Sequence, residues 1–97
     1  VDAAIAIPDE AAEIAMRQFA FPHFNDDAIV SGESGAAGLA GLLELLKVSD
    51  YCAQIQLNSN SKILLINSEG ATAPSVYQQI VGRNAFEISS QQNNQPL

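Results

Sequence analysis

Apolar positions along this chain alternate between continuous runs and a helical spacing, and each change marks a predicted element. Residues 3–7 form a short apolar run that stops at Pro8 and Asp9, which predicts a strand. Pro8 suits the first position of a helix, where its missing N–H has no helical partner to lose. Asp9, Glu10 and Glu13 put negative charge near that helix start, where the dipole favours it. Ala12, Ala15, Met16 and Phe19 then recur at i, i+3, i+4 and i+7. The stripe predicts a helix ending near Ala20, because Phe21 precedes Pro22 and is biased away from helix. Residues 22–27 read as a loop and residues 28–30 as a second short strand.

A tight turn over residues 31–35 leads into a helix carrying Ala36, Ala37, Leu39, Ala40, Leu42, Leu43, Leu45 and Leu46. These residues surround the helix, which predicts burial on more than one face. Its first half is small, with Gly35, Gly38 and Gly41 among alanines. Interior glycines cost roughly 1 kcal/mol each relative to alanine, so they imply a backbone or ligand close by. Ser31 or Ser34 is a candidate cap for this helix, and Ser49 for the next. Val48, Tyr51, Cys52 and Ile55 form that next stripe, and Asn58, Ser59, Asn60 and Ser61 form a turn.

Residues 62–66, K-I-L-L-I, give the clearest strand signal, of the kind found in a sheet covered on both faces. Thr72 is a candidate cap and Pro74 an early residue of a last helix, whose face is Val76, Tyr77, Ile80 and Val81 and whose exit is Gly82. The order is strand, helix, strand, helix, helix, strand, helix. It predicts an α/β fold: three layers, with a largely parallel sheet and flanking helices. Residues 1–88 are assigned to a partial α/β domain. Residues 89–97, S-S-Q-Q-N-N-Q-P-L, are assigned to a flexible polar tail with little to bury.

Composition narrows the functions open to such a domain. The formal charge is −7, and Arg17, Lys47, Lys62 and Arg83 form no cluster. Nucleic acid and anionic membrane surfaces are therefore disfavoured as partners. No apolar run reaches the ~18 residues that a membrane-spanning helix needs. The start carries no basic segment of a secretory signal. Cys52 is alone, so an internal disulfide and a cysteine-rich zinc site are excluded, and a reducing compartment fits. His23, beside Asp26 and Asp27, has no second histidine to complete a ligand set, so no metal site is predicted.

Two predicted strands end in similar polar loops, Ser31-Gly32-Glu33-Ser34 and Asn67-Ser68-Glu69-Gly70. Ligands of open parallel sheets sit beyond the carboxyl ends of the strands, so neighbouring parallel strands would bring both loops to one site. The alternative is that the serines cap helices and the glutamates face water. A serine-hydrolase elbow at Gly32-Glu33-Ser34-Gly35-Ala36 fails on order, because no histidine follows Ser34. A phosphate loop fails because Glu33 would repel the anion and the glycine-loop-lysine signature is missing.

The stretch V-S-G-E-S-G-A-A-G-L-A-G-L-L at 30–43, with L-L-I-N-S-E-G-A-T-A-P-x-x-Y-x-x-I-V at 64–81, resembles the C-terminal part of the diaminopropionate ammonia-lyase family. The opening A-I-P-D-E-A-A-E-I-A-M-R at 6–17 is also similar, so the resemblance spans roughly residues 3 to 83. It implies a tryptophan-synthase-β-like fold, with pyridoxal phosphate as the cofactor of the full-length enzyme. The implied reaction is α,β-elimination of 2,3-diaminopropionate, a small amino acid, to pyruvate and ammonia, by a cytoplasmic homodimer.

By the same resemblance, Ser68 stands where a hydroxyl meets the cofactor's ring nitrogen, and Glu33 and Ser34 lie in the turn lining the cofactor's edge. The family's G-D-T-D-P reads Gly70-Ala71-Thr72-Ala73-Pro74 here, with both acidic residues replaced by alanine. The Schiff-base lysine and glycine-rich phosphate loop of that fold type are not in this sequence. Lys47 ends a helix and Lys62 begins a strand, so neither is placed to replace that lysine. The chain is therefore expected to be a C-terminal fragment that is inactive alone, with no catalytic residue and no cofactor bound by itself. Its expected partners are the remainder of the parent enzyme and a second copy. The competing expectation is a stand-alone acidic binding or oligomerisation module derived from the same fold.

Overall fold

The computed structural model describes residues 3–93, and they form five helices. These are α1 (Asp9–Ala20), α2 (Ala37–Leu46), α3 (Ser49–Gln54), α4 (Pro74–Val81) and α5 (Ala85–Asn93). α1 is central and packs against both α2 and α4, α3 follows α2, and α5 follows α4.

α1 begins after Pro8, which sits in extended geometry as the cap rather than in the first turn. Its acidic first turn and Arg17 in its last turn both complement the dipole. It ends at Phe21, whose N–H donates to the Arg17 carbonyl at 2.8 Å. The predicted stripe is the buried one. Ala12, Ala15 and Met16 are buried with Ala11 and Ala20, and Phe19 packs at the edge of this core. Alanines on α1 share one core cluster with Ala36 and Ala40 near the start of α2, and the two helices are in contact. Arg17 Nε donates to the Ile80 carbonyl at 2.9 Å and ties α1 to α4.

Pro74 opens α4, and Tyr77 and Val81 are its buried residues. Gly82 closes it in the left-handed region at φ 89°, where glycine has no Cβ penalty, and its N–H caps the Gln78 carbonyl. Asn84 Oδ1 then accepts from the Glu87 N–H at 2.8 Å, which starts α5. Ile88 anchors α5 in the core. This helix covers 89–93, the first part of the predicted polar tail, while 94–97 lie outside the described residues.

The predicted three-layer parallel sheet is not there: among the described residues there is no strand. Segments 3–7, 28–30 and 62–66 lack regular structure and build no ladder. One backbone bond joins Ile29 N to the Phe19 carbonyl at 2.7 Å, and another joins Gly32 N to the Glu69 carbonyl at 2.9 Å. A strand is defined by its paired neighbours, and three short runs without a continuous partner do not make a sheet. The doubly covered run at 62–66 is instead open, with Leu64 85% and Ile66 74% exposed. α2 also departs from expectation. Only Ala40 and Gly41 are buried in it, its leucines are half-buried, and Leu46 is exposed. None of the candidate caps Ser31, Ser34, Ser49 or Thr72 acts as one. The cap positions of α1 to α4 are Pro8, Ala36, Val48 and Ala73, without side-chain cap bonds.

Seven of the eleven buried apolar residues are alanines, so the few large buried side chains carry most of the burial free energy. Met16→Ala should lower unfolding free energy by about 2–5 kcal/mol. Ile14→Ala, on the half-exposed face of the same helix, should change it by less than about 0.5 kcal/mol. Urea titrations of the two variants measure the difference.

Candidate functional site

Although no sheet carries them, the two polar loops meet. Ser31 is fully buried and its Oγ donates to Asn67 Oδ1 at 2.8 Å. Asn67 Nδ2 in turn donates to the Val30 carbonyl at 3.1 Å. One asparagine side chain thus fixes both ends of the first loop's entry, and the Gly32 N–H to Glu69 carbonyl bond adds a backbone tie. The first loop folds on itself through Ala36 N–H to the Gly32 carbonyl at 2.9 Å, and α2 leaves from there.

Two glycines make this approach possible. A Cβ on Gly35 would lie 2.5 Å from the Glu69 carbonyl and 2.7 Å from Ser31 Oγ, and would collide with Asn67 Oδ1. A Cβ on Gly32 would lie 2.5 Å from the Gly70 carbonyl and collide with the Glu69 carboxylate. The spacing S-G-x-x-G is therefore a contact requirement. Gly38 and Gly41 have no such role. An added Cβ at Gly38 would make ordinary contact with Leu65, and one at Gly41 would meet nothing within 4 Å.

Beside this junction is a cavity of about 200 Å³, lined by Gly32, Glu33, Ser34, Glu69, Gly70, Ala71, Thr72 and Ala73, with Met16, Val76 and Tyr77 supplied by α1 and α4. Its wall carries two carboxylates and no lysine or arginine. Tyr77 is 2% exposed, and its Oη has no hydrogen-bond partner. Burial pushes the Tyr77 phenol above its ordinary pKa.

Of the residues predicted for a cofactor edge, Glu33 and Ser34 line the cavity. Ser68 is exposed and is not part of that wall. Its neighbours Asn67 and Glu69 make the contacts instead. The sequence pattern does not single out the hydrogen-bonded pair of buried Ser31 and Asn67, and it places Tyr77 only on a core face. The available signal was that Ser31 and Asn67 end equivalent apolar runs. Lys47 pairs with Glu44 at 2.9 Å at the exposed end of α2, and Lys62 is exposed. Neither lines the cavity. His23 stands edge-on to Phe24 in its loop, and no metal-binding group of His, Cys, Asp or Glu occurs among the described residues. No helix among them is long and apolar enough to cross a membrane.

Sequence comparison links this chain to one enzyme. The diaminopropionate ammonia-lyase of Salmonella typhimurium is 39% identical to it over 65 residues, 62% of this chain and 16% of that protein. The diaminopropionate ammonia-lyases of Escherichia coli K12 and O157:H7 are each 35% identical over 92 residues, 88% of this chain and 22% of theirs. The chain resembles a part of this lyase. It spans about a fifth of the length of these relatives. No family model and no solved structure matches it.

Pyridoxal phosphate presents an anionic phosphate and an aldehyde. The cavity wall offers neither a cation for the first nor an amine for the second, and two carboxylates oppose the phosphate. These residues do not hold that cofactor by themselves.

Gly35→Ala should destabilise the chain by more than about 2 kcal/mol, because three polar atoms of the junction must move. Gly41→Ala should be neutral or stabilise it by up to about 1 kcal/mol, since the new methyl meets nothing and the helix gains propensity. Thermal unfolding of the pair tests the assignment. A pH titration tests Tyr77. Above about pH 10 the unfolded chain releases the phenol proton while the folded chain keeps it, so stability should fall as pH rises. Tyr77→Phe should remove that component of the slope.

Proposed function

We propose that this chain is part of a pyridoxal-phosphate-dependent ammonia-lyase that converts 2,3-diaminopropionate and water to pyruvate and two ammonia. Its loops 31–35 and 67–70 form one wall of the active-site pocket, and the groups that hold the cofactor's phosphate and aldehyde belong to other residues of the parent protein. One observation carries this reading: the two short motifs that resemble the lyase family pack on each other around a single cavity, with glycines required at the contact. The similarity to diaminopropionate ammonia-lyases over most of the chain supports it. The cofactor-edge roles of Glu33, Ser34 and Ser68, a cytoplasmic location and a homo-oligomeric parent belong to the same proposal. The exposed Leu64, Ile66 and Phe86 are apolar surface that contact with the remainder or a second copy would cover. The 97-residue chain alone is inactive on this reading, because the cavity holds no amine.

The test is pyruvate release from 2,3-diaminopropionate with added pyridoxal phosphate, followed by coupling to lactate dehydrogenase. The product of the whole gene should form pyruvate from at least one enantiomer, and the 97-residue chain should form none above background. Turnover by the isolated chain would overturn the reading. So would a whole-gene product inert toward both enantiomers, the result expected of an acidic binding module.

A further inference from the structure

Asn67 does not line the cavity, yet both polar atoms of its side-chain amide are bonded across the loop junction. Nδ2 donates to the Val30 carbonyl at 3.1 Å, and a carbonyl can only accept, so this end of the amide must be its NH2 group. That leaves Oδ1 facing Ser31, so the fully buried Ser31 hydroxyl must be the donor of their 2.8 Å bond. Turning the amide over would set its oxygen against the Val30 carbonyl oxygen. Gly35 closes the space beside Oδ1, since a Cβ there would collide with it. The amide therefore has one orientation. Val30 and Ser31 lead directly into Glu33 and Ser34 on one side of the cavity, and Asn67 leads into Glu69 and Gly70 on the other. Together with the Gly32 N–H to Glu69 carbonyl bond, the two amide bonds are the hydrogen bonds that join these loops among the described residues.

We propose that Asn67 is the positioning residue of this cavity: its amide, required as donor and acceptor at once, sets how the Glu33–Ser34 loop stands against the Glu69–Gly70 loop. Its consequence for catalysis rests on the reading above, whereas the clamp itself needs only the junction. Aspartate is the discriminating replacement, because it has the size of asparagine without the donor. Ionised, it can only accept, and it sets a carboxylate oxygen against the Val30 carbonyl. Its charge also joins Glu33 and Glu69, the carboxylates of the two loops, and no lysine or arginine lines the cavity beside them. Tyr77, the other ionisable group of that wall, stays neutral near pH 7. Protonated, the carboxyl can donate to Val30 and accept from Ser31, which restores the clamp. Folding then raises the pKa of that carboxyl above the ordinary value of about 3.9, so the variant's loss of stability grows as pH rises from there and levels off above the raised value.

The test compares Asn67→Asp with Asn60→Asp, which adds the same charge in the exposed turn at 58–61. In the 97-residue chain at pH 7, Asn67→Asp should lower the thermal midpoint by at least about 5 °C, and at pH 5 by less than half as much. Asn60→Asp should move it by under about 2 °C at either pH. Backbone amide shifts of Gly32, Glu33, Ser34, Glu69 and Gly70 should change in Asn67→Asp at pH 7 and return toward those of the parent at pH 5. In the whole-gene product, Asn67→Asp should lower kcat/KM for pyruvate release at least fivefold at pH 7, and Asn60→Asp should leave it unchanged. The proposal is overturned if Asn67→Asp melts like the parent, if its deficit is the same at both pH values, if the loop shifts stay in place, or if its kcat/KM matches that of an active parent. A parent whole-gene product without turnover would overturn the lyase reading alone, because melting and amide shifts decide the clamp without it.

Discussion

Gly35 lies so close to Asn67, the Glu69 carbonyl and Ser31 Oγ that no side chain fits between them, and this contact governs the arrangement around it. It joins the loop before α2 to the loop before α4, two segments more than thirty residues apart in the chain. Closing so long a loop has an entropic cost that grows only slowly with length, and a doubly bonded asparagine, one of whose partners is the buried Ser31 hydroxyl, offsets part of it. With the loops fixed, the starts of α2 and α4 are fixed too, and α1 is left to pack against both. The cavity is a consequence: Met16 from α1 and Tyr77 from α4 wall a space that the two loops leave open.

The helical packing around α1 depends on small side chains. Ala11, Ala15 and Ala20 share their core with Ala36 and Ala40, and alanine allows helices to approach at the cost of little buried area per residue. Met16, Tyr77 and Ile88 fill what remains, one from each of α1, α4 and α5. The apolar run at 62–66 adds little to that core, since Leu64 and Ile66 face outward. The chain therefore carries more apolar sequence than its five helices bury, and this imbalance agrees with similarity to only about a fifth of a larger protein.

Helices were legible where two independent signals agreed. At α1 the period of Ala12, Ala15, Met16 and Phe19 met an acidic start and the Phe21-Pro22 stop, and at α4 Pro74 and Gly82 bracketed the stripe. Strands were not legible, because an apolar run reports a wish for burial and says nothing of whether a paired neighbour exists. Residues 62–66 carry the first property without the second. The site was legible in part for the same reason. The two loops do meet, though not at the edge of a sheet, and which side chain turns inward depends on local geometry that spacing does not encode. Ser31, a candidate cap by sequence, is buried and bonded to Asn67, while Ser68, one position past that asparagine, lies outside the cavity wall.

The charge of the cavity is the last constraint, and it separates what this wall can bind from what it cannot. Glu33 and Glu69 come from the two different loops, so the loop contact itself brings like charges to one space. None of the four lysines and arginines lines that space: Arg17 bonds the Ile80 carbonyl, Lys47 pairs with Glu44, and Lys62 and Arg83 are exposed. An acidic wall of this kind disfavours a phosphate in the space it lines.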